Sequence, residues 1–285
     1  MSMQYGVVLP ITDPARMAEF GEAAEQAGWD AVFVAEMIWG PDAWVCLTAI
    51  AMKTERIGLG TMLSPISRMR PWKLASETAT LDRISRGRVR LAVGLGALET
   101  GFAAFGEVTD RKTRIELMEE GLEVMQLLWK NEPFTFEGKH YHIDSSQVDA
   151  ALQEWGIVPV QQPRIPIWLT GAWPREVSMQ RTLKFDGLLP NFISAPGPLG
   201  QPSHDEFRTM SDFVREHRDP DRPFDIVMEG ETANNSPEYL EKVEQWRQAG
   251  ATWWIESPWS HQDDFDYLRQ RIAMGPPRVD ALSRG

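Results

Sequence analysis

Short apolar runs alternate with amphipathic stretches along most of the chain. The first run, "QYGVVLP", gives way to a segment in which Met17, Phe20, Ala24 and Ala27 fall 3, 4 and 3 residues apart. That spacing puts them on one face of a helix, with Pro14 in the first turn and Gly28 as its stop. "DAVFVAE" precedes a helix over 42–53, and "RIGLGTML" one over 71–84. "RVRLAVGLG" precedes one over 111–130, where Ile115, Met118, Leu122, Met125 and Leu128 form a stripe. The rhythm lapses over 131–165, where "EPFTFEGKHYHI" alternates like a hairpin about Glu137-Gly138 and 144–163 reads as an irregular excursion. It resumes with "IPIWLTG", "FDGLLPNF", "FDIVMEGE" and "ATWWIES", followed by helices over 174–183, 204–218, 237–249 and 263–273.

Eight strand–helix units demand a parallel sheet with right-handed crossovers. Their count predicts an α/β fold closed into a (β/α)8 TIM barrel, a single domain over 1–285 with an insertion over about 131–165 after the fourth βα unit. An open doubly wound sheet is the alternative. Trp253 and Trp254 are neighbours on one strand, so they should divide between barrel interior and helix layer.

A net charge of -12 repels phosphates and argues against a nucleic-acid partner. No apolar run reaches the ~20 residues a membrane helix needs, and "MSMQYGVVLP" lacks the basic region of a secretory signal. The single cysteine, Cys46, lies in "AWVCLTAIAM" and reads as a buried hydrophobe, so a cytoplasmic chain is expected.

Gly94-Leu95-Gly96 ends the fourth strand. A dinucleotide fingerprint would place this turn after the first strand, with a third glycine where this chain has Glu99. The other reason for glycine at a strand end is close approach of a flat ligand to the backbone, and barrel strands end at the active-site mouth. Gly94 and Gly96 would then leave room for a planar ring, and Trp39, Trp173 and Trp259 sit where such a ring could stack. The mouth so predicted is apolar and poor in nucleophiles, which leaves the hard chemistry to a cofactor. Glu36, Glu229, Glu231 and Glu256 converge on it; surface salt bridges are one reading, and a general acid with a raised pKa the other. His140 and His142 alternate in the hairpin with no third ligand at metal-binding spacing and read as surface residues, so no metal site is expected. Arg68, Arg70 and Lys73 form either a solvated basic loop or a seat for an anionic cofactor tail.

The stretches "AEQAGWDAVFVAE", "AMKTERIGLGTMLSPISRMRPWKLASETATLDRISRGRVRLAVGLG", "GLEVMQLLWKNEPFTFEGKHY", "PRIPIWLTGAWPRE", "KFDGLLPNF" and "AGATWWIES" resemble the bacterial-luciferase-like flavin-dependent oxidoreductases over nearly the whole chain. The resemblance implies a TIM barrel that binds reduced FMN, or alternatively coenzyme F-420, at its C-terminal mouth, acts on a small-molecule substrate and forms a homodimer. It implies a non-prolyl cis peptide at Met62-Leu63, backing the ring together with Met37, Thr61, Gly94 and Gly96. It puts the cofactor phosphate at Gly171, Ala172 and Trp173, where backbone N–H groups opening a helix suit an anion, and at Asn191. Many relatives end the second strand with Asp-His where this chain has Glu36-Met37. Glu36 keeps an acidic group there, and Glu36 and Glu256 are the candidate catalytic residues. Three functions follow: an FMN monooxygenase, a coenzyme F-420-dependent hydride transferase, and a non-catalytic flavin-binding barrel. The loops at 97–110, 144–163 and 194–203 are expected to shape the pocket.

Overall fold

The computed structural model describes residues 3–195 and 200–279. Eleven strands are present among them: β1 Gln4–Val8, β2 Ala31–Val34, β3 Gly58–Thr61, β4 Ser64–Pro65, β5 Val89–Gly94, β6 Thr135–Glu137, β7 His142–Asp144, β8 Ile167–Trp173, β9 Gly187–Phe192, β10 Asp225–Gly230 and β11 Trp253–Glu256. The α-helices are α1 Pro14–Gln26, α2 Ala43–Lys53, α3 Pro71–Ser85, α4 Arg111–Lys130, α5 Ala150–Gln153, α6 Glu176–Thr182, α7 His204–His217, α8 Pro237–Gln248 and α9 Phe265–Ala273. Eight parallel strands run in the order β3-β2-β1-β11-β10-β9-β8-β5, and β3 pairs with β5 to close the ring. The fold is therefore the TIM barrel that the alternating pattern predicts. The two-residue β4 is the extra piece: it pairs with the end of β5, Ser64 beside Val93 and Pro65 beside Gly94.

Local chemistry sets the helix ends. Asp13 accepts from the N–H of Ala15 at 2.9 Å and Asp110 from that of Thr113 at 2.8 Å, while α1 and α3 carry proline in their first turns. Arg86 and Gly87 take φ of 58° and 84° to turn the chain from α3 into β5.

The barrel wall separates two apolar layers. Val8, Phe33, Ala92, Trp168, Leu189, Val227, Trp253 and Ile255 fill the interior. Trp254, Met228, Leu169 and Leu91 face the helices instead, so Trp253 and Trp254 divide as strand alternation requires. At the N-terminal end Arg90 lies 3.6 Å from Asp225 and stands over the rings of Trp168 and Trp253, and Trp168 Nε1 donates to Asp225 at 2.9 Å. These groups plug that end.

The insertion does not reach the mouth. The hairpin β6–β7 lies along α4, where Glu120 accepts from the N–H groups of Lys139, His140 and Tyr141. The 144–163 stretch returns to the N-terminal end: Val160 and Gln161 donate their N–H groups to Asp82, near the end of α3, and Gln161 Nε2 donates to the Val89 carbonyl at the start of β5. The expectation that 144–163 shapes the pocket is thereby corrected. The chain leaves α4 at its C-terminal end, which in a βα unit is the end away from the mouth. In the 194–203 loop, residues 196–199 lie outside the described residues. Cys46 is buried, and no described helix is long and apolar enough to cross a membrane.

Candidate active site at the barrel mouth

The carboxyl ends of β5 and β8 lie side by side, with Val93 beside Leu169, so Gly94 and Gly171 share one end of the barrel. Strand alternation then decides which predicted residues face the interior. Met62, Leu63 and Trp259 lie partly uncovered on top of the interior cluster and form an apolar floor. The Met62–Leu63 peptide is cis, at the position the resemblance implies.

Thr61 faces outward, two residues beyond Leu59 of the outer layer. Its Oγ1 lies 2.9 Å from Ser64 Oγ, and Ser64 Oγ donates to the Glu36 carboxylate. Arg68 donates to the Glu36 carbonyl at 3.0 Å. Glu36 thus braces the 61–64 turn from behind. Burial pushes its pKa up to about 7, against the Ser64 hydrogen bond and the Arg68 charge. Met37 is partly buried near Gly40, where a thioether can only pack.

The glycines of the Gly94-Leu95-Gly96 turn serve packing rather than open space. A Cβ on Gly94 would lie 2.5 Å from Thr170 Oγ1 and 2.8 Å from Leu63 Cδ2; one on Gly96, whose φ is +72°, would lie 2.7 Å from Pro65 Cβ. Room at these positions is therefore taken by the chain itself, which corrects the reading that they clear space for a ring. The turn is held by Arg114 of α4, which donates to the carbonyls of Leu95 and Gly96 and stands over Phe102. No sequence signal pointed to Arg114, since nothing in its helix pattern sets it apart from a surface arginine.

The phosphate candidates split. Gly171 faces outward, where a Cβ would meet Leu188, Thr182 and Met179, and the Trp173 ring packs 5.7 Å from Phe213 of α7. Neither lines the interior, and the three residues end β8 rather than open a helix; α6 begins at Glu176, beyond a cis Trp173–Pro174 bond. The Ala172 N–H donates to Ser178 Oγ at 2.9 Å and is already satisfied. Ala172 and Asn191 pair across β8 and β9 on the inward positions, and Asn191 is exposed.

Glu256 is the clearest correction. It is two residues beyond Trp254, so it shares the outward face. Its carboxylate accepts from the Thr232 N–H at 2.6 Å, Thr232 Oγ1 at 2.7 Å, Trp254 Nε1 at 3.1 Å and Arg271 Nη2 at 3.1 Å. All four bonds tie the carboxylate to the outer layer. The inward carboxylate at this end is Glu229, two residues beyond Val227 of the interior layer. Trp259 Nε1 donates to Glu229 Oε1 at 2.7 Å, and burial pushes the pKa of Glu229 up to about 7. Alternation along "DIVMEG" carries this placement, whereas its pairing with Trp259, thirty positions on, has no sequence signal.

The basic loop does not act as one patch. Arg68 is engaged with Glu36, Arg70 stands over Trp72, and Lys73 pairs with Glu77. Of the three predicted stacking tryptophans only Trp259 is on the floor; Trp39 is 81% exposed and meets Phe105 at 5.8 Å, forming an apolar lip above it. A cavity of about 470 Å³ opens at the opposite end of the barrel, lined by Glu25, Arg56 and Arg88 among others. There Arg88 already donates to Thr54 and to the carbonyls of Ala51 and Ile57, so that end serves stability.

Known proteins resemble the chain in both sequence and fold. An F-420-dependent glucose-6-phosphate dehydrogenase of Kineococcus radiotolerans is 31% identical over 144 residues, 47% of this chain and 43% of its own length. The chain spans about half the length of the curated relatives it matches. Among solved structures, an F-420-dependent secondary alcohol dehydrogenase in complex with an F-420-acetone adduct superposes with a TM-score of 0.72 at 18% identity, covering 98% of this chain and 99% of that one. The oxygenating constituent of 3,6-diketocamphane monooxygenase from Pseudomonas putida, in complex with FMN, superposes with a TM-score of 0.74 at 17% identity, covering 98% of each chain. The family model described as luciferase-like monooxygenase matches residues 2–267. With a closed parallel barrel whose apolar floor and inward carboxylate lie at the strands' carboxyl ends, and with that match across nearly its whole length, the chain belongs to the luciferase-like monooxygenase family.

Proposed function

We propose that the chain is a coenzyme F-420-dependent oxidoreductase that interconverts a small uncharged carbinol and its carbonyl compound. The observation that carries this reading is the character of the upper interior. Met62, Leu63 and Trp259 offer an apolar floor, inward positions above it include Thr170, Ala172 and Asn191, and Glu229 is the ionisable group on the inward strand positions described at this end. Among the described residues no inward position at this end carries a cation.

The residues fit the coenzyme. A partly uncovered apolar floor suits one face of a flat ring, and exposed Asn191 with exposed Arg175 just beyond β8 suits a phosphate. Met62, Leu63 and Trp259 would hold the ring; Asn191 and Arg175 would hold the tail. When bound, the deazaflavin supplies hydride transfer. The curated relatives named as F-420-dependent support the choice of coenzyme. A titratable carboxyl on the floor suits a reaction that moves a proton with each hydride. With no cation on the inward positions beside the floor, a second phosphate on the substrate would find no partner there, so glucose 6-phosphate is not expected to be turned over.

FMN with oxygen is the second reading, favoured by the exposed Trp39–Phe105 lip, which would exclude water on closing. Parallel titrations of the purified chain with coenzyme F-420 and FMN decide between them. Micromolar binding of coenzyme F-420, with FMN at least tenfold weaker, supports the first reading; the reverse order overturns it.

A further inference from the structure

Among the described residues, the inward face of the barrel strands carries the ionisable groups Arg90, Asp225 and Glu229. Arg90 and Asp225 satisfy each other at the N-terminal end. Glu229 stands alone at the mouth. Its Oε1 takes the Trp259 indole N–H at 2.7 Å, and its Oε2 has no hydrogen-bond partner among the described residues. The charged groups on the neighbouring strand ends and loops have partners of their own. Glu231 accepts from Ser260 N and Oγ at 3.1 and 2.7 Å, Glu256 is on the outward face with Arg271, and Arg16 stands over Phe265. Glu36 is engaged with Ser64 behind the 61–64 turn. Glu229 is therefore a carboxyl on the inward face at the mouth, fixed by one oxygen, with the other left without a partner among the described residues.

We propose that Glu229 is the catalytic acid–base of this barrel and that Trp259 is its positioning residue. The inference rests on the oxidoreductase reading above and adds the residue that handles the proton. In the oxidative direction the substrate's C–H bond breaks with its electron pair, which leaves as hydride to the oxidised coenzyme. Its O–H bond breaks and the proton passes to Glu229 Oε2. A carbon–oxygen double bond forms between the two atoms. The carboxylate becomes a carboxylic acid and later returns its proton to water. Trp259 holds Oε1 still, so that Oε2 meets the hydroxyl in one orientation.

The test uses the full chain with coenzyme F-420, and isopropanol and cyclohexanol as probes. For Glu229→Gln the proposal expects coenzyme affinity within about twofold of the parent and kcat lowered at least about a hundredfold, the size of a lost general base. In the ligand-free protein, infrared spectra should lose one protonated-carboxyl component that titrates between about pH 6 and pH 8. Trp259→Phe keeps the carboxyl and should shift that band while lowering kcat less; it also serves if Glu229→Gln does not fold. Unchanged kcat in Glu229→Gln overturns the role of Glu229 and leaves the oxidoreductase reading standing. Parent protein that binds coenzyme F-420 but turns over neither alcohol overturns the assignment of a hydroxyl proton to Glu229. Parent protein that binds no coenzyme F-420 overturns both readings.

Discussion

Glu256 and Arg271 meet at 3.1 Å behind the barrel wall, with 0% and 1% of their side chains exposed. The arginine also donates to the Thr232 carbonyl and hydroxyl, both at 2.8 Å, and to the Gly275 carbonyl at 2.9 Å. The pair ties β11, the segment after β10 and the end of α9 into one buried network, so a residue that reads as catalytic from its place at a strand end is structural.

Removing one member of such a pair strands the other charge in an apolar layer. Glu256→Gln should therefore destabilise the fold by about 3–5 kcal/mol, read as a lower urea midpoint. The folded fraction should bind coenzyme F-420 with unaltered affinity, because Glu256 does not reach the mouth.

Glu36 and Glu229 are both pushed up to about 7 from 4.5, so the folded chain holds these two protons more tightly than the unfolded chain. Their contribution to stability is full below about pH 4.5 and is lost as pH rises through about 7. Urea unfolding at about pH 5 and pH 8 should show this loss, and a Glu36→Gln, Glu229→Gln double variant should reduce it by about 5 kcal/mol in total.

Gly94 has no space for a side chain. In Gly94→Ala the new methyl would press on Thr170 Oγ1 and Leu63 Cδ2 at 2.5 and 2.8 Å. The expected cost is about 1–3 kcal/mol of stability. Because Leu63 is part of the floor, coenzyme binding should weaken about tenfold, or about 1.4 kcal/mol, as measured by fluorescence titration.

Arg114 holds the Leu95 and Gly96 carbonyls from α4. Arg114→Met should cost about 2–4 kcal/mol through two lost charge-assisted bonds, and should expose the 97–110 loop to limited proteolysis at a rate well above the parent's.

Periodicity carried the fold because each barrel strand and helix buries a face that its own residues announce. Helices over 42–53, 71–84 and 111–130 fall within a residue of α2, α3 and α4. The cis Met62–Leu63 bond came only from the family resemblance. Much of the site stayed illegible for a physical reason. Whether a strand-end residue faces the interior depends on counting in twos from a core residue. Such counting separates Glu229 from Glu256, and Ala172 from Gly171 and Trp173, only once Val227, Trp254 and Trp168 are assigned to layers. Cross-chain pairings such as Glu229–Trp259 and Arg114–Gly96 join distant segments, and no local pattern encodes them.

The plug of Arg90, Asp225, Trp168 and Trp253 makes the chamber a cul-de-sac. A coenzyme and a substrate held at the mouth, as proposed, would then share one doorway beside the Trp39–Phe105 lip. Under the proposed function the deeper of two such guests would have to board first and depart last.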